Sequence, residues 1–378
     1  MPGECLEMTA VPTGKLTVNA KLLRDLIRAR VSLVRLEARV IRRDFLPLIQ
    51  ALQADVFDAI SRAQAGAAGS EITLAQMERV LSDADKLLTN AAASLPAAAE
   101  ASAATVAAQQ ARMIHATVKR AAPNAIGKVF SGLDVAQVAQ VAQADASALT
   151  GPWFQGWAGR AGETLKTSLG ISVGQGEDVA KAVKRAAAAL GKSRREMASI
   201  VRTAMQTAAN KAHQAYQDEN EDVFKGAQWV ATLDTVTCPV CGPRDGKTWT
   251  YETDPSGEAV GLVDDMPPIP AHPNCRCVTV PVTKSWRDLG LDIDDVPDDA
   301  TRASMDGEVP GTMDWETWLK TQPPNIQASI LGPAKFKQWN AGGILESASV
   351  TLRRIAGREA VSPSTGRHFN RAGLISAV

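Results

Sequence analysis

The chain has 378 residues, 45% of them hydrophobic, with 41 Lys and Arg balanced against 41 Asp and Glu. That length suits two or three cored domains, and the zero net charge removes any global polycation argument for nucleic acid. Met1–Cys5 show no basic region leading into an apolar one, and no apolar run reaches the roughly 18 residues of a membrane helix, so the expectation is a soluble protein made in a reducing cytoplasm, without membrane contact.

From about Leu16 to Ala63, Leu22, Leu23, Leu26, Ile27, Val31, Val34, Ile41 and Phe45 recur at spacings of three and four. This predicts one long amphipathic helix, or two with a break near Pro47. Between Lys21 and Arg43 eight basic residues stand against Asp25 and Glu37. Arg35, Arg39, Arg42 and Arg43 are therefore candidates to contact nucleic acid phosphates or an acidic partner, against the simpler reading of a solvated helix face. Gly66–Ser70 reads as a hinge. Helices are expected over Glu71–Thr89, Pro96–Ala121 and Leu133–Leu149, with Asn90, Pro123-Asn124 and Gly132 as separators. Their Ala-rich faces permit close helix packing or an extended arm.

Composition changes at Trp153, because all eight Trp and both Tyr lie at or after it. Thr150-Gly151-Pro152 is expected to be a linker. A helix over Glu177–Leu190 should stop at Gly191, and Ser193 with Glu196 should form a capping box that starts another helix running to Tyr216. Gln228–Leu233, Lys247–Tyr251 and Val278–Val282 are β-branched or aromatic runs bounded by turn residues, which predicts a small antiparallel sheet. Asp245-Gly246 is a good turn before the Trp249 strand.

Within this sheet region sit Cys238-Pro239-Val240-Cys241-Gly242 and His272-Pro273-Asn274-Cys275-Arg276-Cys277. Four of the five cysteines and one of the four histidines fall between 238 and 277. A tight Cys-x-x-Cys turn aims two thiolates at one point, and His272-x-x-Cys275 repeats the spacing, as a tetrahedral Zn²⁺ requires. The candidate ligands are Cys238, Cys241, His272 and Cys275, with Cys277 taking the place of Cys275 if the chain is extended there. Five candidates for four places favour a closed, structural zinc over a catalytic one, which needs an open position. Unmetallated thiols, a disulfide and an HNH-type nuclease are the rivals. The last needs a histidine base beside further metal-binding groups, whereas His115, His213 and His368 are remote in sequence. Asp234 reads as a turn residue or an outer partner of the site.

Asp288–Glu308 carries eight acids and one base, Arg302, and reads as a solvated linker without calcium-loop spacing. Asp314 should cap a short helix containing Trp315, Trp318 and Leu319, followed by a helix ending at Gly332-Pro333. The basic, Gly- and Ser-rich stretch Arg353–Arg371 is expected to be a tail that docks partners or stays disordered. The fold expected is mainly α with a small α+β zinc module. It divides into a helical arm over 1–150, a core with the module over 151–285, an acidic linker over 286–312, and short helices with a basic tail over 313–378.

Ile200-Val201-Arg202-Thr203, Trp229-Val230-Ala231-Thr232-Leu233-Asp234, Cys238-x-x-Cys241, Asp245-Gly246-Lys247 and His272–Cys277 occur in an order that resembles the Mu F-like head morphogenesis family of tailed phages. The block from Trp315 to Gly332 is also similar to the sequence that follows the motif in that family. The resemblance spans roughly 160–345. It implies a minor head protein, oligomeric in the virion, that associates with the portal and with major capsid or scaffold protein during procapsid assembly. Contact with packaged double-stranded DNA is a further implication. Many relatives resemble Arg-Thr-Glu where this chain has Arg202-Thr203-Ala204, so kinship to ADP-ribosyltransferase folds lacks its catalytic acid here. The enzymatic alternatives are a metal-dependent nuclease using His272 and Asp234, or a vestigial transferase using Arg202 with Glu219 or Glu221. No catalytic residue is assigned.

Overall fold

Leu26, Leu33 and Val40 recur every seven residues and are buried, which places them on one stripe of helix α1, Val18–Val40. Four further helices follow: α2 Leu46–Ala65, α3 Leu74–Ala121, α4 Val135–Gly174 and α5 Val179–Asp218. The computed structural model describes residues 18–65, 73–121, 130–285, 287–289 and 301–343, and four short strands between 353 and 376. The expected turns at Gly66–Ser70 and Pro123-Asn124, and most of the acidic run from Asp292 to Asp299, lie outside the described residues.

The break expected near Pro47 takes the form of a π turn over Ile41–Phe45, with the Leu46 N–H reaching back to the Ile41 carbonyl. A proline donates no N–H, and its ring crowds the carbonyl four residues back. The wider turn relieves that conflict while keeping Ile41 and Phe45 buried.

Elsewhere, tertiary burial overrides local helix breakers. The two helices expected between Glu71 and Ala121 are the single 48-residue α3, with Pro96 inside it. Its start is a reciprocal cap, in which the Thr73 N–H donates to Gln76 Oε1 at 2.8 Å and the Gln76 N–H to Thr73 Oγ1 at 3.3 Å. The linker expected at Thr150–Pro152, and with it the boundary at residue 150, falls inside α4. Leu149, Phe154, Trp157, Ala161, Leu165 and Leu169 make a continuous buried stripe there, which outweighs the hydrogen bond lost at Pro152. Gly191 does not stop α5, since the cost of an internal glycine is only about 1 kcal/mol. Ser193 caps nothing: its hydroxyl donates to Ala189 O and its carbonyl accepts the Trp157 indole N–H at 2.8 Å. Glu196 pairs with Arg160 instead.

The five helices share one apolar core, from Leu33, Phe45 and Ile60 through Leu88 and Trp157 to Val201 and Met205. Beside it runs a seam of alanines at i, i+4 spacing: Ala103, Ala107 and Ala111 of α3, Ala142 and Ala146 of α4, and Ala208 and Ala212 of α5. Methyl-only ridges let three backbones approach closely, so the Ala-rich composition builds a packed junction. No described helix is long and apolar enough to cross a membrane.

After α5 come β1 Phe224–Val230, β2 Thr248–Thr250, β3 Gly261–Leu262 and β4 Val278–Thr283, in sheet order β3-β2-β1-β4. β1 pairs antiparallel with both β2 and β4. β3 runs parallel to β2, so the sheet is mixed rather than purely antiparallel. Leu26, Ile114, Val118, Tyr216, Phe224, Val230, Val278 and Val280 weld it to the ends of α1, α3 and α5.

The stretch expected to be a solvated linker contains a hairpin, β5 Thr301–Ser304 with β6 Gly307–Pro310. It leads to α6 Trp315–Thr321, capped by Asp314, and α7 Pro324–Asn340, kinked at Gly332. Trp315, Trp318 and Leu319 pack on Leu233. Where a tail was expected, β7 Arg353–Ile355, β8 Arg358–Val361, β9 Arg367–Phe369 and β10 Ile375–Ser376 pair antiparallel in sequence order.

Two glycines are dictated by close approach. A Cβ on Gly226 would stand 2.0 Å from the Trp249 carbonyl oxygen, and one on Gly242 would stand 2.3 Å from the Trp315 ring. Gly226→Ala is expected to cost at least the usual overpacking penalty, about 1–3 kcal/mol, because its obstacle is backbone. Urea unfolding of the variant beside the parent measures it.

Candidate metal centre

The first half of the centre is a turn that closes on itself. The Cys238 carbonyl accepts from the N–H groups of Cys241 at 3.1 Å and Gly242 at 3.0 Å, and the Val240 N–H donates to the Cys238 sulfur. The second half repeats the arrangement: the Cys275 N–H donates to His272 O at 3.1 Å, and the Cys277 N–H donates to the Cys275 sulfur. Asn274 completes this turn with φ +58°, a conformation that Asn tolerates better than most residues.

These turns bring the predicted ligands together. His272 Nε2 lies 3.2 Å from both Cys238 Sγ and Cys241 Sγ, and Cys241 Sγ lies 3.9 Å from Cys275 Sγ. Ligands around one tetrahedral zinc, at about 2.0–2.3 Å from it, stand about 3.5–3.8 Å from each other. Two groups form, Cys238 with Cys241 and His272, and Cys241 with Cys275 and Cys277, each with its ligand atoms within 4.8 Å of one another. Cys241 belongs to both. His272 Nδ1 is 2.9 Å from Pro273 O, so the Nδ1–H tautomer donates there and leaves Nε2 free to ligate.

The cluster is buried, with Cys241 1%, Cys275 3% and Cys277 3% exposed. Trp229, Ala231, Trp249 and Ala271 pack around it. The Cys241 thiol, then His272 and the Val240 N–H, hold Cys238 down to about 4 against the effect of burial. Cys241 and Cys277 likewise hold Cys275 well below the usual thiol range. Burial acts to lower the His272 imidazole, but the Cys238 and Cys275 thiolates outweigh it and raise it to about 9. The donor set thus gathers negative charge in a dry pocket, balanced by protons where a cation fits. Three thiolates and an imidazole are the donors that a borderline-soft divalent metal prefers.

Around this set, Arg276 grips Asp234 with two contacts of 2.6 Å, and Asp234 also accepts from the N–H groups of Val236 and Thr237. Burial tends to raise the Asp234 carboxyl, and Arg276 overcomes it to leave a net lowering. Asp234 therefore orders the loop entering the centre and is absent from the ligand groups found among the described residues.

His115 faces Tyr216, and buried His213 lies against Gln110, both on the helical body. The side chain of His368 lies outside the described residues. Arg202 and Glu219 stand about 25 Å apart along α5 at 1.5 Å per residue. Arg35, Arg39, Arg42 and Arg43 are all exposed. Arg43 pairs with Asp44, and the Arg42 Nε–H bonds Ala38 O. A groove of about 440 Å³ between α1 and α3 is lined by Arg39 and Arg43 with Ser102, Thr105 and Gln109.

Sequence reasoning missed a second constellation. Asp245 and Arg302 form an ion pair whose side chains are 0% and 3% exposed. Asp245 accepts from the Ala231 N–H at 2.7 Å and from both Arg302 Nη atoms, at 2.8 and 3.2 Å, and Arg302 also donates to Met313 O at 3.1 Å. The one available signal was a lone arginine in an eight-acid stretch.

No curated protein and no solved structure matches the chain. Residues 163–280 match the family model described as Phage Mu protein F like protein. That segment runs from the second half of α4 through α5, both cysteine-bearing turns and the first half of β4. The Cys/His cluster and α5 thus lie within the segment that matches the Phage Mu F-like model, the family to which the order of motifs pointed.

Proposed function

We propose that the chain is a minor head protein of a tailed phage, whose domain is held by one structural zinc and whose helices bind portal and capsid protein during procapsid assembly. The observation that carries this reading is the pair of overlapping groups, Cys238 with Cys241 and His272, and Cys241 with Cys275 and Cys277, within the family-matched segment. Cys275 is favoured over Cys277 as fourth ligand, because its sulfur receives the Cys277 N–H just as Cys238 receives that of Val240. A metal held there cross-links two turns that are 31 to 37 residues apart in the chain and leaves no coordination position for substrate. In assembling host lysates, the tagged chain should co-sediment with procapsids and pull down portal protein. Failure of both removes the assembly reading.

The exposed arginines of α1 and the π turn that follows it support DNA contact as a second role. If Arg39 and Arg42 each neutralise a phosphate, Arg39→Ala/Arg42→Ala should reduce the slope of log affinity against log salt by about two for duplex DNA. Anisotropy titrations at several salt concentrations measure the slope. An unchanged slope removes these residues from the interface.

A further inference from the structure

The two halves of the metal centre are supported differently. The Cys238–Cys241 turn carries its own bracing: two N–H groups on the Cys238 carbonyl and one on its sulfur. The His272–Cys275 turn has one N–H on the His272 carbonyl, one on the Cys275 sulfur and an asparagine in the left-handed region. Besides the Arg276–Asp234 pair, its anchors come from α5. The Asn274 N–H donates to Thr203 Oγ1 at 3.2 Å, Asn274 Nδ2 donates to Ser199 Oγ at 2.8 Å, and Asn274 Oδ1 accepts from Arg202 at 3.3 Å. Two residues beyond Cys275, the Cys277 carbonyl accepts from Gln206 Nε2 at 3.3 Å.

Positions 199, 202, 203 and 206 recur at i, i+3, i+4 and i+7, so they share one side of α5. None of them is a metal-ligand type, yet together they fix the backbone on both sides of Cys275. We infer that Ser199, Thr203 and Gln206 are positioning residues for the metal: α5 acts as a template that sets His272 and Cys275 at ligand distance from the first turn. This rests on the zinc reading proposed above. It follows that metal affinity depends on the helical body, and that metal binding in turn ties the sheet module to α5.

The test is zinc affinity in the full chain, measured by competition with a chromophoric chelator. Asn274→Gly keeps the left-handed backbone accessible and deletes the side-chain anchors, while Thr203→Val removes the acceptor at nearly constant shape. Each should weaken zinc binding by about 10–100-fold, the range usual for groups that orient ligands. Thr203→Ser should restore it, and Lys192→Ala, on an exposed part of α5, should leave it unchanged. Helical circular dichroism melts that match the parent exclude a general loss of structure. Variant affinities within about twofold of the parent, below the range such groups show, overturn the proposal. A parent chain that binds no zinc instead sinks the metal reading, and this inference with it.

Discussion

Cys241→Ser is expected to be the most disruptive single substitution in the sheet module. Cys241 stands in both ligand groups and is 1% exposed, so its loss breaks the link between the first turn and either candidate fourth ligand. Structural zinc binding in small modules has an apparent free energy of about 10–16 kcal/mol, which is folding free energy wherever the module lacks a core of its own. Here the core around the cluster is small: Trp229, Ala231, Trp249, Ala271 and the ligands themselves. The variant should lose its metal, and hydrogen exchange across residues 224–283 should rise sharply, while the core of α3, α4 and α5 keeps its protection. Unchanged exchange in the module would mean that packing alone holds it.

Arg302→Met is the second large effect. It leaves Asp245 buried without its counter-charge, and breaking such a pair typically costs about 3–5 kcal/mol. Burial raises the Asp245 carboxyl, with Arg302 and the Ala231 N–H opposing that rise. Without Arg302 the carboxyl should rise further and take up a proton in the folded state. A group with a raised folded pKa is more favourable below its unfolded value, near 4, and its contribution is lost as pH rises through the folded value. The deficit relative to the parent should therefore shrink from about pH 8 toward about pH 5. Arg302→Met/Asp245→Asn should be less unstable than the single variant at the higher pH. Chemical unfolding at both pH values measures these effects, and a pH-independent deficit would show that the loss comes from packing of the arginine stem.

The Cys/His cluster was legible in the chain because the geometry of its turns is local. Cys-x-x-Cys and His-x-x-Cys are tight turns whose spacing alone aims donors, and the structure closes both with the same i to i+3 backbone bond. The three main strands were legible from β-branched runs. β3 was not, since Gly261–Leu262 has only two residues and pairs parallel through tertiary placement. Helix boundaries failed at Asn90, Thr150–Pro152 and Gly191 for one reason. Each breaker costs at most about 3 kcal/mol locally, and each lies on a helix whose inward face is a continuous buried stripe that the local sequence does not display as such. Arg302 carries no local sign of burial, because a run of charges ordinarily reads as solvated and its partner Asp245 lies 57 positions away. Long-range pairs of this kind leave no periodicity to find. The anchoring of Asn274 on α5, across 71 to 75 positions, was hidden for the same reason, although each of its halves lies within a local motif.

The most direct measurement is the metal content of the folded chain purified without chelators. About one zinc per chain is expected, held tetrahedrally by three sulfurs and one nitrogen in X-ray absorption, and released in Cys238→Ser together with the ordered structure of residues 224–283. A chain that contains no zinc and keeps that segment protected from hydrogen exchange contradicts it.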